Sequence, residues 1–274
     1  MAGSSLCLLA VTLVALPGAR WLYLMRRVRI PKDRRLFLAS NAAAAVCGIA
    51  ALATDASPFT KAGAGVAVVA ALAFLALNAA SGQARGEPAV RVGDAMLEFD
   101  SCDDDGRPFS TTLLGGRPYV VKFFRGHWCP YCVAELARWK EMQPLLDRFD
   151  VAVVTVCADT ADKIRSGRHR HGLGAIMLAD PDLRVTDLFG LRNPRGFALK
   201  SGIIVPLPIP TTILVDARGI VRWIDQADDY MTRSEPSRVM EALGEALGAP
   251  TPRGPRGRTE AGTVSADAPV PLSA

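Results

Sequence analysis

Three uncharged apolar stretches fill most of the first 84 residues, and they limit what this chain can become more than any other feature. Residues 1–19 carry no charge, and the apolar run continues through Trp21, Leu22, Tyr23, Leu24 and Met25 with only Arg20 interrupting. Residues 36–54 add 19 uncharged positions and residues 62–84 another 23. A helix of about 20 apolar residues crosses the hydrocarbon core of a bilayer. The sequence therefore predicts a membrane anchor over residues 1–86, with transmembrane helices at about 5–25, 36–54 and 62–82. The second and third stretches are rich in Ala and Gly, whose small side chains let neighbouring helices approach closely. Two alternatives stand beside this reading. Ala-rich runs also form buried helices of soluble cores, and the first stretch ends in an Ala-Leu-Pro-Gly-Ala that suits a cleaved leader, although no positive charge precedes Arg20.

Charge divides along the chain in the same way. The formal net charge is +5, but residues 1–86 hold nine Lys/Arg against two Asp/Glu, and residues 87–274 hold 23 against 25. The basic balance thus belongs to the anchor; it points to a lipid bilayer as partner and to no nucleic acid. Most of it lies in the first loop, RRVRIPKDRR at 26–35, whereas the second loop, DASPFTK, carries one Lys and one Asp. The positive-inside bias places loop 26–35 in the cytoplasm. With three spans in a bacterial-type inner or plasma membrane, the domain that follows is expected on that cytoplasmic side.

From residue 87 the pattern changes to alternating strand and helix signals. Met96–Phe99 and Arg107–Ser110 flank an Asp-Asp-Asp-Gly turn, and Tyr119–Phe124 reads as a central strand. A helix with Val133, Leu136, Trp139, Met142 and Leu146 on one face follows, which Pro144 should kink or end. A strand over Asp150–Val156, a basic helix over Ala161–His171, a strand over Ala175–Leu178 and a short helix over Pro181–Phe189 complete the first half. Residues 191–209 read as irregular, Thr211–Asp216 and Gly219–Asp225 as an antiparallel pair, and Pro236–Leu247 as a closing amphipathic helix. The order βαβ then ββα is that of an α/β sandwich, a mixed central sheet flanked by helices over 87–248, preceded by three transmembrane helices. Residues 249–274 lack an apolar period and are expected to be a disordered tail.

The chemistry sits in Trp128-Cys129-Pro130-Tyr131-Cys132. Two thiols three residues apart at the start of a helix share one side of its first turn. The first lies by the free N–H groups and the positive dipole end, which favour a thiolate. Pro130 suits the first helical position, where its missing N–H would have no partner anyway. With positive charge from Arg125 and His127, such surroundings take a thiol pKa from about 8.5 down to roughly 3.5–7.5. Cys129 is thus the expected nucleophile toward a disulfide or a hydroperoxide, and Cys132 the thiol that closes the internal disulfide. Trp128 should report the redox state by fluorescence. The competing readings are half of a zinc site, which needs two more ligands from only three histidines and no second Cys-x-x-Cys, and a permanent structural disulfide. No cofactor or metal is expected.

WCPYC after a hydrophobic strand resembles the thioredoxin superfamily, in which such a dithiol is the redox centre. Ile209-Pro210-Thr211-Thr212 looks like that superfamily's cis-proline element, which implies a cis Pro210 against the dithiol and a backbone at Ile209 that binds extended substrate. More closely, GRPYVVKFFRGHWCPYC, LADPDLRVTDLFGL and PTTILVDARGIVRWI are similar to the alkyl hydroperoxide reductase/thiol-specific antioxidant family, the peroxiredoxin-like proteins, over residues 92–247. The resemblance implies a thioredoxin-like fold, a peroxidatic Cys129 and a resolving Cys132. Two positions depart from the family's Pro-x-x-x-Thr-x-x-Cys pattern: Lys122 and Gly126 stand where Pro and Thr are usual, and no arginine is apparent before the later strand. The expectation is therefore a membrane-tethered thiol-disulfide oxidoreductase with antioxidant activity, taking hydroperoxides or disulfides as substrates and an unidentified thiol as electron donor. A dedicated thiol peroxidase is the first alternative. A copper-binding metallochaperone-like module using the dithiol with His127 is the alternative of another class.

Other residues carry weaker signals. Cys157 ends a strand and reads as a small core residue or an auxiliary thiol. Cys102 reads as an incidental exposed thiol, and Cys7 and Cys47 as small bundle residues. Lys122 on a hydrophobic strand is expected to face the partly solvated side, the alternative being a place under the dithiol where it favours the thiolate. Arg165, Arg168, Arg170, His169 and His171 read as a solvated or headgroup-facing basic surface.

Overall fold

The computed structural model describes residues 2–83, 86–171, 174–198 and 203–248; the expected tail lies outside the described residues. Three helices open the chain: α1 (Ala2–Arg26), α2 (Arg35–Leu52) and α3 (Pro58–Ala79). Each is long and apolar enough to cross a membrane. The seams between them are built from small residues, with Ala10, Ala44, Ala51, Ala64 and Ala71 all fully buried. Gly48 shows how close the approach is, since a Cβ there would sit 2.5 Å from Val68 Cγ2. Leu8, Leu16, Val46, Val66 and Val69 instead face outward. Small residues within and large apolar residues without are compatible with insertion in a bilayer.

The remaining elements are β1 (Asp100–Cys102), β2 (Pro108–Ser110), β3 (Tyr119–Phe124), α4 (Pro130–Arg148), β4 (Ala152–Cys157), α5 (Ala161–His171), β5 (Ile176–Ala179), α6 (Arg184–Leu188), β6 (Arg192–Ala198), β7 (Ile203–Pro208), β8 (Thr211–Val215), β9 (Val221–Gln226) and α7 (Pro236–Leu247). The central sheet runs β5-β4-β3-β8-β9. β3 pairs in parallel with β4 and antiparallel with β8, so the sheet is mixed. Every residue of β3, β4 and β8 is buried, as expected of central strands covered on both faces. One face packs Phe124, Leu136, Trp139 and Leu146 with Val239 and Leu243 of α7. The other packs Val121 and Phe123 with Phe99, Phe109 and Phe189.

Three local expectations change. The strand before the acidic turn is Asp100–Cys102 rather than 96–99, paired to Pro108–Ser110. α4 continues across Pro144 to Arg148, because Met142 and Leu146 on either side of the proline are buried in one core and hold both halves in line. Residues 191–209, expected to be irregular, form the antiparallel ribbon β6–β7 with a register shift between Asn193 and Gly196. In a two-stranded ribbon every strand is an edge, where proline is tolerated.

The anchor and the sandwich meet closely. Arg34, in the loop after α1, is nearly buried and donates from Nη1 to Asp229 Oδ2 at 2.7 Å, while Ser81 Oγ donates to the same oxygen at 2.6 Å. Trp21 packs edge-on against Phe37 and Phe74 and donates from Nε1 to Tyr131 Oη at 3.2 Å. Loop 26–35 and the dithiol domain therefore lie on the same side of the bundle.

Candidate redox site

Cys129 is the N-cap of α4, with extended backbone (φ −85°, ψ 116°) and no side-chain cap, and Pro130 is the first helical residue. The strand β3 delivers the chain to this point, and Gly126 at φ +149° makes the turn between them. A side chain at Gly126 would meet Trp128 Nε1 at 2.5 Å and Asp159 Oδ2 at 2.8 Å, so only glycine fits. Asp159, at the end of β4, accepts from the His127 backbone N at 2.7 Å and contacts its ring Nδ1 at 3.2 Å. The His127 ring lies against Phe124 and Gly167. That histidine holds the loop in place through Asp159.

Both thiols are free and buried, Cys129 at 1% exposure and Cys132 at 0%. Sequence reasoning missed the group that governs them. Arg233, in the segment before α7, donates from Nη2 to Cys132 Sγ at 2.9 Å and to Cys129 Sγ at 3.5 Å. Its Nη1 is fixed by the carbonyls of Tyr230 and Thr232 at 2.7 and 2.5 Å. Arg125 lies between the rings of Trp128 and Tyr230, 5.1 and 4.9 Å from their centroids, and adds a second charge. The helix terminus alone predicts the thiolate at Cys129, and the structure moves it. The hydrogen bond to Cys132, burial and the neighbouring sulfur push the Cys129 thiol up. Burial opposes ionisation of Cys132 as well, but the hydrogen bond from Cys129 and the Arg233 cation take its thiol well below the ordinary range. The two thiols therefore titrate as a pair, with a single negative charge favoured beside the Arg233 guanidinium.

Beneath the dithiol lies a second missed residue. Glu135 is buried at 1% exposure, 2.5 Å from Lys122 Nζ and 3.4 Å from Arg233 Nε. Lys122, expected to face solvent, is equally buried and also donates to Thr212 Oγ1 at 3.1 Å. Burial pushes the Glu135 carboxyl up, while Lys122 and Arg233 draw it down; the net direction is upward. Glu135 had a sequence signal. It shares the helical stripe of Cys132, Leu136 and Trp139, where a charge is out of place. Arg233 had none, being an arginine in an irregular stretch 101 residues from Cys132.

Two cavities reach this site from different sides. A polar cleft of about 740 Å³ ends at Lys122, Glu135 and Arg233. An apolar cavity of about 230 Å³ is lined by Cys129, Trp128, Tyr131 and Tyr230 together with residues of α1 and α3. Pro210 borders the polar cleft. No peptide bond among the described residues is cis, so the expected cis Pro210 is trans. Ile209 donates its N–H to Leu191 O at 2.7 Å and accepts from Thr211 Oγ1 at 3.0 Å, which leaves its backbone N–H engaged within the fold.

Cys157 is fully buried, and burial and Asp159 push its thiol well up. Its Sγ lies with His127 and Asp159 in a cluster whose potential ligand atoms are within 4.8 Å of one another. The basic face of α5 is partly spent on the acidic turn: Arg165 donates to Asp104 O at 2.6 Å and Arg168 pairs with the Asp104 carboxylate. The side chains of His169, Arg170 and His171 lie outside the described residues.

Known proteins give this geometry its context. The family model for AhpC/TSA matches residues 92–224. Peroxiredoxin Bcp of Escherichia coli strain K12 is 24% identical over 158 residues, covering 57% of this chain and 97% of its own length. The thiol-disulfide oxidoreductase ResA of Geobacillus thermodenitrificans is 24% identical over 156 residues, covering 57% of this chain and 79% of its own. Among solved structures, a peroxiredoxin-like protein from Aquifex aeolicus superposes with a TM-score of 0.50 at 15% identity, covering 58% of this chain and 88% of that one. That likeness speaks to the fold alone. Residues 92–224 are thus an AhpC/TSA family domain, peroxiredoxin-like, and the relatives of this chain indicate thiol-dependent oxidoreductase activity.

Proposed function

We propose that the chain is a membrane-tethered thiol-disulfide oxidoreductase that cycles Cys129 and Cys132 between dithiol and disulfide, with hydroperoxides as oxidants. The observation that carries this reading is the Arg233 guanidinium 2.9 Å from one sulfur and 3.5 Å from the other. A buried cation shared by two adjacent free thiols stabilises one negative charge on the pair without committing it to either sulfur.

The cycle follows from the positions of the groups. Cys129 lines the apolar cavity and is the sulfur that meets substrate. It passes its proton to Cys132 and attacks the terminal peroxide oxygen. The S–O bond forms as the O–O bond breaks, and the departing alkoxide takes a proton from water. Cys132 then attacks the Cys129 sulfur, the S–S bond forms, and the S–O bond breaks with release of water. Two thiols have lost two electrons, and the peroxide has become an alcohol and water. An external thiol restores the dithiol by exchange. Arg125 and Arg233 polarise the peroxide in place of the threonine and late-strand arginine of the family pattern. With Gly126 in the threonine's place, dithiol cycling is favoured over dedicated fast peroxidase chemistry.

The test uses the full chain, reduced, in lipid nanodiscs. Hydrogen peroxide or a protein disulfide is added while thiols are counted and Trp128 fluorescence is followed. Loss of two thiols, abolished by Cys129→Ser and halved with a trappable sulfenic acid in Cys132→Ser, is the expected result. Retention of both thiols with every oxidant would refute the reading. The same proposal places loop 26–35 and the redox domain on the cytoplasmic side.

A further inference from the structure

The apolar cavity beside Cys129 is not made by the redox domain alone. Trp21, Leu22 and Met25 of α1 and Leu77 of α3 close its far side. The hydroxyls near it are engaged, since Tyr131 Oη accepts from Trp21 and Tyr230 Oη donates to Leu77 O at 3.2 Å. Cys129, Arg125 and Trp128 are among its other lining residues. Leu22 is 51% exposed on the outer face of α1. It lies one turn before Arg26 and Arg27, the charges that mark the boundary between hydrocarbon and water. The chamber therefore joins the lipid-facing surface of the anchor to the reactive sulfur. The polar cleft approaches the same dithiol from another side and ends on charged groups.

We infer that this chamber is a substrate subsite contributed by the anchor, taking the acyl chain of a hydroperoxide dissolved in the bilayer and bringing its –OOH group to Cys129. This rests on the peroxide reading above. At a liquid share of about 30 Å³ per water, its volume of about 230 Å³ admits a segment of chain and leaves the rest of the lipid in the membrane. The mostly apolar lining favours a hydrocarbon chain over a small, fully polar hydrogen peroxide molecule. A chain fills the chamber, excludes water from the reacting pair and holds the peroxide near the Arg125 charge. Electrons and atoms balance as in the cycle above: the acyl hydroperoxide becomes the acyl alcohol and water as the disulfide forms. Membrane tethering then has a chemical reason, because two anchor helices complete the site.

Full-length protein in nanodiscs is reduced and mixed with hydrogen peroxide, tert-butyl hydroperoxide or linoleic acid hydroperoxide, and the rate of loss of two thiols is measured. The chain-bearing peroxide is expected to react at least about tenfold faster than the tert-butyl compound, a difference of about 1.4 kcal/mol. Leu22→Trp, and separately Met25→Trp, should lower the ratio of the linoleic rate to the hydrogen peroxide rate by about tenfold or more. If hydrogen peroxide oxidises the dithiol but neither variant changes that ratio, the subsite is overturned and the peroxide reading stands. If no hydroperoxide removes thiols from the unaltered chain, both fall.

Discussion

Replacing Lys122 with Met removes the closest cation from a carboxylate that has almost no solvent. The Nζ–Oε1 distance is 2.5 Å, and both side chains are 1% exposed. Breaking a buried pair from one side costs about 3–5 kcal/mol, since the remaining charge is left uncompensated. Two features place this case at the lower end. Arg233 Nε remains 3.4 Å from Glu135, and burial already favours the protonated carboxyl, which can take up a proton when its partner is lost. We therefore expect a loss of about 3 kcal/mol, which for a domain of this size lowers the melting temperature by roughly 6–12 °C. Redox state should modulate the effect. In the dithiol form Arg233 is divided between Glu135 and the Cys132 thiolate; the disulfide removes that anion and leaves Arg233 to Glu135. The Lys122→Met loss should thus be larger under reducing conditions than after oxidation. Thermal unfolding of the full chain in nanodiscs, followed by Trp fluorescence with and without reductant, measures both. A reduced-state shift below about 2 °C, or equal shifts in the two states, would refute the shared-cation account.

Glu135→Gln should flatten the pH dependence of stability above the ordinary carboxylate range. The folded-state pKa of Glu135 is raised by burial, so between the unfolded and folded values the native state holds a proton the unfolded chain has released. That contribution to stability is full below the unfolded value and lost as pH rises through the folded one; melting curves at stepped pH check whether the Gln variant lacks the decline. Arg233→Met should move the onset of thiol alkylation at the 129–132 peptide to higher pH, because the cation 2.9 Å from Cys132 that favours its thiolate is gone. Arg233→Lys should restore part of the difference, and an unchanged onset by mass spectrometry would remove Arg233 from the account. Cys102 is exposed on the redox domain, so a membrane-impermeant maleimide should label it only after cell lysis; labelling in intact cells would reverse the cytoplasmic assignment.

Reading the residues in order recovers much of this molecule. Local chemistry is written locally: the uncharged runs specify helices long enough for a bilayer, and the β-branched run at 119–124 specifies a strand. Cys129-Pro130 specifies a helix start with a sulfur at its cap, because the cap geometry depends on a few adjacent residues. Where local signals failed, longer-range packing had replaced them. Pro144 should have ended α4, but the core on both sides carries the helix through. Proline and glycine between 191 and 209 concealed a ribbon whose partner strand supplies the order.

The electrostatics of the site belong wholly to the tertiary structure. Sequence alone determined that this chain holds two neighbouring thiols at a helix start, behind a set of apolar helices. Only folding decided that a cation sits between the two sulfurs, because Arg233 arrives from 101 residues away and lies nearer to Cys132 than to Cys129. It also decided that Lys122 faces a buried Glu135 instead of water, and that anchor residues some 100 positions upstream wall the chamber beside Cys129. Helix periodicity and cap chemistry act over a few residues and can be read along the chain, whereas Coulomb interactions depend on distance in space and on the exclusion of water, which exist only once the layers have closed.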